Sequence, residues 1–189
     1  VLRYKDSLAI WGWQIENEPF LVFGQCPWHN ENFLKKEVAL VHSLDLSHPV
    51  LISDSGELSF WMKAASYGDV VGTTLYRKIW SPELKQYVTY ALPPIFYWRR
   101  AQLIHWLFKK DVVGVELQAE PWGPGKLLYD TSLEEQKKTM SLEQFHKNIE
   151  YATKTGLKEQ YLWGAEWWYW LKETQNDESM WNAAQQLLN

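Results

Sequence analysis

The chain has 189 residues and a formal net charge of −4, which suits one domain with a substantial core and excludes the basic face a nucleic-acid partner needs: Lys and Arg cluster no further than pairs such as Arg99-Arg100 and Lys109-Lys110. Cys26 is the single cysteine, so neither an intrachain disulfide nor a cysteine-based metal site is expected. His29, His42, His48, His105 and His146 show no ligand spacing, so no metal or cofactor is implied, and no apolar run is long enough to span a bilayer.

Residues 1–7 read as the tail of a helix, with neither a start methionine nor a leader pattern. The chain is therefore expected to be a segment of a longer protein, with secretion or a cell-surface position left open. Residues 10–16 form an apolar strand that delivers Asn17-Glu18-Pro19 to its C-terminal end. A helix follows over 30–46, with Phe33, Leu34, Val38, Val41 and Leu44 at helical spacing. Residues 49–53 read as a strand, 58–66 as a short helix and 69–76 as a strand. Ser81-Pro82-Glu83 suits a small helical turn within a polar loop.

Pro93-Pro94 opens a long helix to about Lys109, and 112–117 is a strand ending near Glu116. A loop covers 118–140, broken by Pro121, Gly123, Pro124 and Gly125; loops of that length are usually functional or disordered. Ser141-Leu142-Glu143-Gln144 reads as a capping box for a helix ending near Thr155-Gly156. The last strand is expected over 161–168 and the last helix over 177–188, with Trp181, Ala184 and Leu188 on one face.

Repeated βα units argue a parallel sheet with right-handed crossovers, either an open doubly wound sheet or a (β/α)8 TIM barrel. No G-x-G-x-x-G or phosphate loop follows a strand, which weakens a nucleotide-binding sheet. Alternation favours the barrel: Gly12, Gln14, Glu16 and Glu18 oppose Trp11, Trp13 and Ile15; Gly72, Thr74 and Tyr76 oppose Val71, Thr73 and Leu75; Gly114, Glu116 and Gln118 oppose Val113, Val115 and Leu117. Bulky residues would meet the helices and the polar set would line the mouth. A full barrel takes roughly 250 residues, so the α/β barrel is expected to be incomplete, with residues 1–189 as one partial domain.

Trp13-Gln14-Ile15-Glu16-Asn17-Glu18-Pro19 resembles the fourth-strand signature of the clan A glycoside hydrolases, closest to family 5, the cellulase-like type. The resemblance implies a TIM barrel present as units four to eight, dependent on an N-terminal half. It implies a retaining two-glutamate mechanism on β-linked oligo- or polysaccharides, with Glu18 as acid/base and Asn17 on the sugar 2-hydroxyl. The strand ending in Asp111-Val112-Val113-Gly114-Val115-Glu116 matches that of the nucleophile, and Tyr76 matches a Tyr that orients it. Here the motif departs from the family pattern, reading on to Glu120-Pro121-Trp122. Alternation cannot choose between Glu116 and Glu120; an ordinary strand length favours Glu116. Tyr161 to Trp168 resembles the strand carrying a Trp floor, with the register open between Trp163, Trp167 and Trp168.

Thirteen Trp and ten Tyr are the compositional outlier. They fit an aromatic core, or platforms for sugar faces at Trp28, Trp80, Trp122, Trp167 and Trp168, which fall at strand ends or in loops. Bland readings stand beside the chemical ones: Glu18 as a helix-start carboxylate before a Pro, Glu116 as an Arg-paired interior acid, and Asp54, Ser55 and Glu57 as loop or cap residues rather than cleft lining. A catalytically dead carbohydrate-binding barrel and an open sheet holding a small ligand are the alternatives from other functional classes.

Overall fold

The computed structural model describes residues 1–21, 30–125 and 128–188. Cys26, Trp28 and His29 lie outside them. Five parallel strands form one sheet: β1 (Trp13–Gln14), β2 (Val50–Asp54), β3 (Val70–Leu75), β6 (Val112–Gln118) and β7 (Gln160–Trp163), side by side in that order. Between β3 and β6 in the chain, β4 (Lys78–Ser81) and β5 (Gln86–Thr89) make a separate antiparallel hairpin.

The helices of the described residues are α1 (Glu31–Leu44), α2 (Met62–Tyr67), α3 (Pro94–Phe108), α4 (Leu133–Lys137), α5 (Leu142–Thr153), α6 (Ala165–Gln175) and α7 (Ser179–Leu188), with a 3-10 turn at Leu128–Asp130. Among the described residues no helix is long and apolar enough to cross a membrane.

One face of the sheet meets the helices. Val50, Ile52, Val71, Leu75, Val112 and Leu117 share a core with Leu34 and Val38 of α1, Ala64 and Ala65 of α2, Tyr97 and Ile104 of α3, and Ala152 of α5. An open doubly wound sheet carries helices on both faces. Here α1, α2, α3 and α5 lie on one, and the sheet curls as half of a barrel wall. A second core, around Phe145, Met140, Trp167, Trp168 and Leu171, packs α5, α6 and α7 against the end of β6.

The third strand alternates as expected, with Val71 and Leu75 in the helix core and Gly72 on the other face, since the period of a strand is two. The sixth does not. Thr73 faces Gly114 but Thr74 faces Glu116, and on the other side Gly114 and Leu117 face Gln160 and Leu162. Both neighbours find one residue too many in β6, which is a bulge. Val112 and Leu117 therefore both reach the helix core, Gly114 lies against Gln160, and Val115 turns inward to Gly72. The alternation that grouped Val113, Val115 and Leu117 breaks at this bulge.

Other boundaries move for local reasons. The first strand shrinks to Trp13–Gln14 because its edge has one partner and the chain turns at Glu16 (φ 56°) and Glu18 (φ 45°). The turn expected at 81–83 belongs to a hairpin, reversed at Lys85 (φ 51°). The long loop contains α4, capped by Ser132 Oγ accepting from Glu135 N. Ser141 Oγ accepts from Gln144 N at 3.2 Å, yet the Gln144 amide donates to Asn148, so only half of the capping box forms.

The last strand stops at Trp163. Gly164, at φ 147°, passes so close to Ala119 that a Cβ would lie 2.7 Å from its carbonyl. The chain then enters α6, carrying Trp167 and Trp168 away from the sheet.

Candidate active site

The C-terminal ends of the parallel strands gather the carboxylates. Glu18 follows β1, Asp54 and Glu57 come from the end of β2, Thr74 and Tyr76 from β3, and Glu116, Gln118 and Glu120 from β6. Glu18 is held by an unusual backbone. Its own φ of 45° and that of Glu16 are left-handed, a conformation that costs a non-glycine residue about 1–3 kcal/mol and collects at functional sites. Ser53 over-determines the turn: its hydroxyl accepts from Glu18 N at 2.9 Å and donates to Asn17 Oδ1 at 3.2 Å.

The Glu18 carboxylate receives a hydrogen bond from Thr74 Oγ1 at 3.1 Å. Thr74 pairs in register with Glu116, whose Oε2 accepts from the Tyr76 hydroxyl at 2.9 Å. Asn17 also hydrogen-bonds Glu116. Glu18 and Glu116 thus sit on either side of one threonine, with the bulge in β6 turning Glu116 to this side.

Burial raises the Glu18 carboxyl to about 7, and the charge of Glu116 adds to the rise, followed by smaller contributions from Glu57 and Asp54 against the Thr74 hydrogen bond. Burial also raises Glu116, while the bonds from Tyr76 and Asn17 hold its ionised form. Beside Glu116, the Tyr76 hydroxyl stays protonated, pushed far above its usual range by burial and then by that carboxylate. A carboxyl raised to about 7 beside a second one whose ionised form accepts two hydrogen bonds is the equipment for delivering a proton and an electron pair to the same bond.

Glu120 lies at the rim. Its Oε1 accepts from Trp163 Nε1 at 3.0 Å, and burial raises its carboxyl. The Trp163 indole itself is 46% exposed. Trp122 meets the Tyr76 ring edge-on at 5.1 Å, and its carbonyl accepts from Trp80 N. Trp167 is not brought to the mouth: it is 3% exposed, and its indole donates to Gln136 Oε1. Trp168 is likewise buried on the Ala119 carbonyl. Both are core residues because they belong to α6 rather than to a strand end.

Three polar residues, Glu57, Arg100 and Gln118, matter more here than their sequence context indicates. Glu57 Oε1 accepts from Tyr97 OH at 2.7 Å and from Tyr76 N at 2.8 Å, and burial pushes its carboxyl to about 7. Its neighbour Gly56 has no room for a side chain, since a Cβ would fall 1.8 Å from the Thr74 carbonyl. That close approach is the signal that Asp54-Ser55-Gly56-Glu57 belongs to the site. Arg100 of α3 lies over the Trp61 ring and donates to the Gly56 and Ser59 carbonyls, clamping this loop. Gln118, fully buried, accepts from Arg77 N and Lys78 N and donates to the Lys78 carbonyl, fixing the root of the hairpin.

Away from this cluster, His42 pairs with Asp69, His48 with Asp45 and His105 with Asp111. Among the described residues no group of three or more His, Cys, Asp or Glu side chains is placed to hold a metal ion.

No family model and no curated protein matches the chain. Solved structures overlap it, two beta-glucuronidases among them. One is an FMN-binding beta-glucuronidase from Facaelibacterium prausnitzii L2-6, at 14% identity and TM-score 0.44 over 80% of this chain and 22% of that one. The other is the Bacteroides Uniformis beta-glucuronidase, at 17% identity and TM-score 0.43 over 80% of this chain and 18% of that one. The chain spans about a fifth of the length of each, at 22% and 18%.

Proposed function

We propose that the chain carries the two-glutamate site of a retaining glycoside hydrolase acting on β-linked glycosides, as units four to eight of a barrel. The reading rests on one observation: Glu18, raised to about 7, faces Thr74 one strand away from Glu116, which Tyr76 and Asn17 hold by hydrogen bonds.

In this reading Glu116 attacks the anomeric carbon and forms a C–O bond to it as the glycosidic C–O bond breaks. Glu18 gives its proton to the leaving oxygen, so the aglycone departs as an alcohol. Glu18, now ionised, takes a proton from water, and that water releases the sugar from Glu116 with its anomeric configuration retained. Tyr76 orients Glu116 and Asn17 meets the sugar 2-hydroxyl, with Trp163 and Trp122 as apolar surfaces for the substrate. Glu120 is the alternative nucleophile, but its carboxylate is engaged by Trp163 at the rim, whereas Glu116 lies beside the acid.

The test is kinetic, on the intact protein. Glu18→Gln and Glu116→Gln each lower kcat on a β-glycoside with a poor leaving group, by about 10²–10⁴-fold for the acid. Near-normal turnover by either variant overturns the assignment.

A further inference from the structure

A cavity of about 380 Å³ opens beside Glu18 beneath the β4–β5 hairpin, within the range of small-molecule sites. Leu21, Leu58, Ile79 and Val88 supply aliphatic walls and Trp80 an aromatic one. We propose that this cavity receives the leaving group of the substrate, and that it takes an aromatic or branched aliphatic aglycone in preference to a second sugar. The proposal rests on the glycosidase reading and names the substrate class of that same site.

Position gives the first argument. A general acid protonates the leaving oxygen, so the leaving group lies on the acid's side of the bond and the nucleophile opposite. Glu18 lines this cavity and Glu116 does not.

The wall chemistry gives the second. A sugar ring needs partners for its hydroxyls, and a hydroxyl buried without one loses its hydration for nothing in return. Branched aliphatic side chains provide none. Of the polar groups present, Glu57 is taken by Tyr97 OH and Tyr76 N, Thr74 by Glu18, the Tyr76 hydroxyl by Glu116, Ser81 by Glu83 and Leu84 N, and Ser55 by Leu58 N, while Tyr90 adds a single hydroxyl against the several of a sugar ring. Glu18 is committed to the reacting oxygen.

The third argument is that the wall is pre-formed. Gln118 holds Arg77 and Lys78 at the hairpin root, Trp80 N donates to the Trp122 carbonyl, and the Trp80 ring meets Tyr87 edge-on at 5.1 Å. A rigid apolar wall binds without first having to order itself.

The test uses the intact protein and 2-naphthol as a free aglycone, followed by quenching of tryptophan fluorescence. Naphthol binds, and Val88→Thr, which swaps a methyl for a hydroxyl at nearly constant shape, weakens it by about tenfold. In parallel, the ratio of kcat/KM for a 2-naphthyl β-glycoside over a methyl β-glycoside of the same sugar falls by about tenfold in that variant. Naphthol that fails to bind, binding untouched by Val88→Thr, or a disaccharide that displaces naphthol at equal concentration each overturns the proposal. The two readings fail separately. Glycoside turnover without naphthol binding removes the aglycone site alone; naphthol binding that Val88→Thr weakens, with no glycoside turned over, keeps the cavity's preference and removes the hydrolase.

Discussion

Acidic side chains gathered in one mouth give individual residues an unusual pH behaviour. Glu18 and Glu57 are both raised from 4.5 to about 7. A carboxyl raised on folding is favoured in its protonated form, so its stabilising contribution is complete below the unfolded value, near 4.5, and is lost as the pH rises through about 7. Thermal stability should therefore fall across that window, and Glu57→Gln should flatten the fall and raise Tm at about pH 8. The amide can still accept from Tyr97 OH and Tyr76 N, which is why the variant should fold. A Tm that depends on pH as steeply in the variant as in the parent would show that Glu57 is not the titrating group. Because the Glu57 charge also raises Glu18, the basic limb of the activity profile should move to lower pH in the same variant.

Single elements hold these residues through backbone contacts. Gln118 is the clearest case, with its amide satisfying two N–H groups and one carbonyl at the start of the hairpin. Gln118→Leu keeps the volume and removes all three bonds, and unsatisfied groups cost about 1–3 kcal/mol each. We expect denaturant unfolding to show a loss of about 2–4 kcal/mol, and hydrogen exchange at Arg77 and Lys78 to accelerate. Unchanged exchange at those two amides would refute the clamp. The role of Gln118 was partly legible in the sequence, which placed it on the polar side of its strand, but the hairpin it clamps was not. Residues 82–85 carry no Asn-Gly or Asp-Gly signal, and the reversal rests on Lys85 at φ 51°. The bulge in β6 was hidden for a different reason: Val-Val-Gly-Val-Glu alternates equally well with or without an extra residue, and only pairing to β3 and β7 on both sides exposes it. Tyr-Leu-Trp-Gly-Ala-Glu-Trp-Trp is ambiguous between strand and helix by composition, and Gly164 decides it through its close approach to Ala119.

At the scale of the whole molecule, the order of strands and helices was readable from short apolar runs alternating with helical spacing. The half-barrel follows from that order, because each strand turns one apolar face to the helices and the mouth collects what its ends carry. Asn17, Glu18, Tyr76 and Glu116 were expected together because each was read at the end of a strand, and the structure links them through Thr74 and hydrogen bonds. Glu57 was not, since its loop resembles an ordinary cap until Gly56 is seen against Thr74. If Glu18 and Glu116 divide the roles of acid and nucleophile, a covalent intermediate forms on Glu116 and can be trapped. A 2-deoxy-2-fluoro β-glycoside with a good leaving group should slow release of the sugar enough for mass spectrometry of the digested protein. The fluorosugar is expected on the peptide and side chain of Glu116. Attachment at Glu120, or turnover with inversion and no covalent species, would contradict that division of roles.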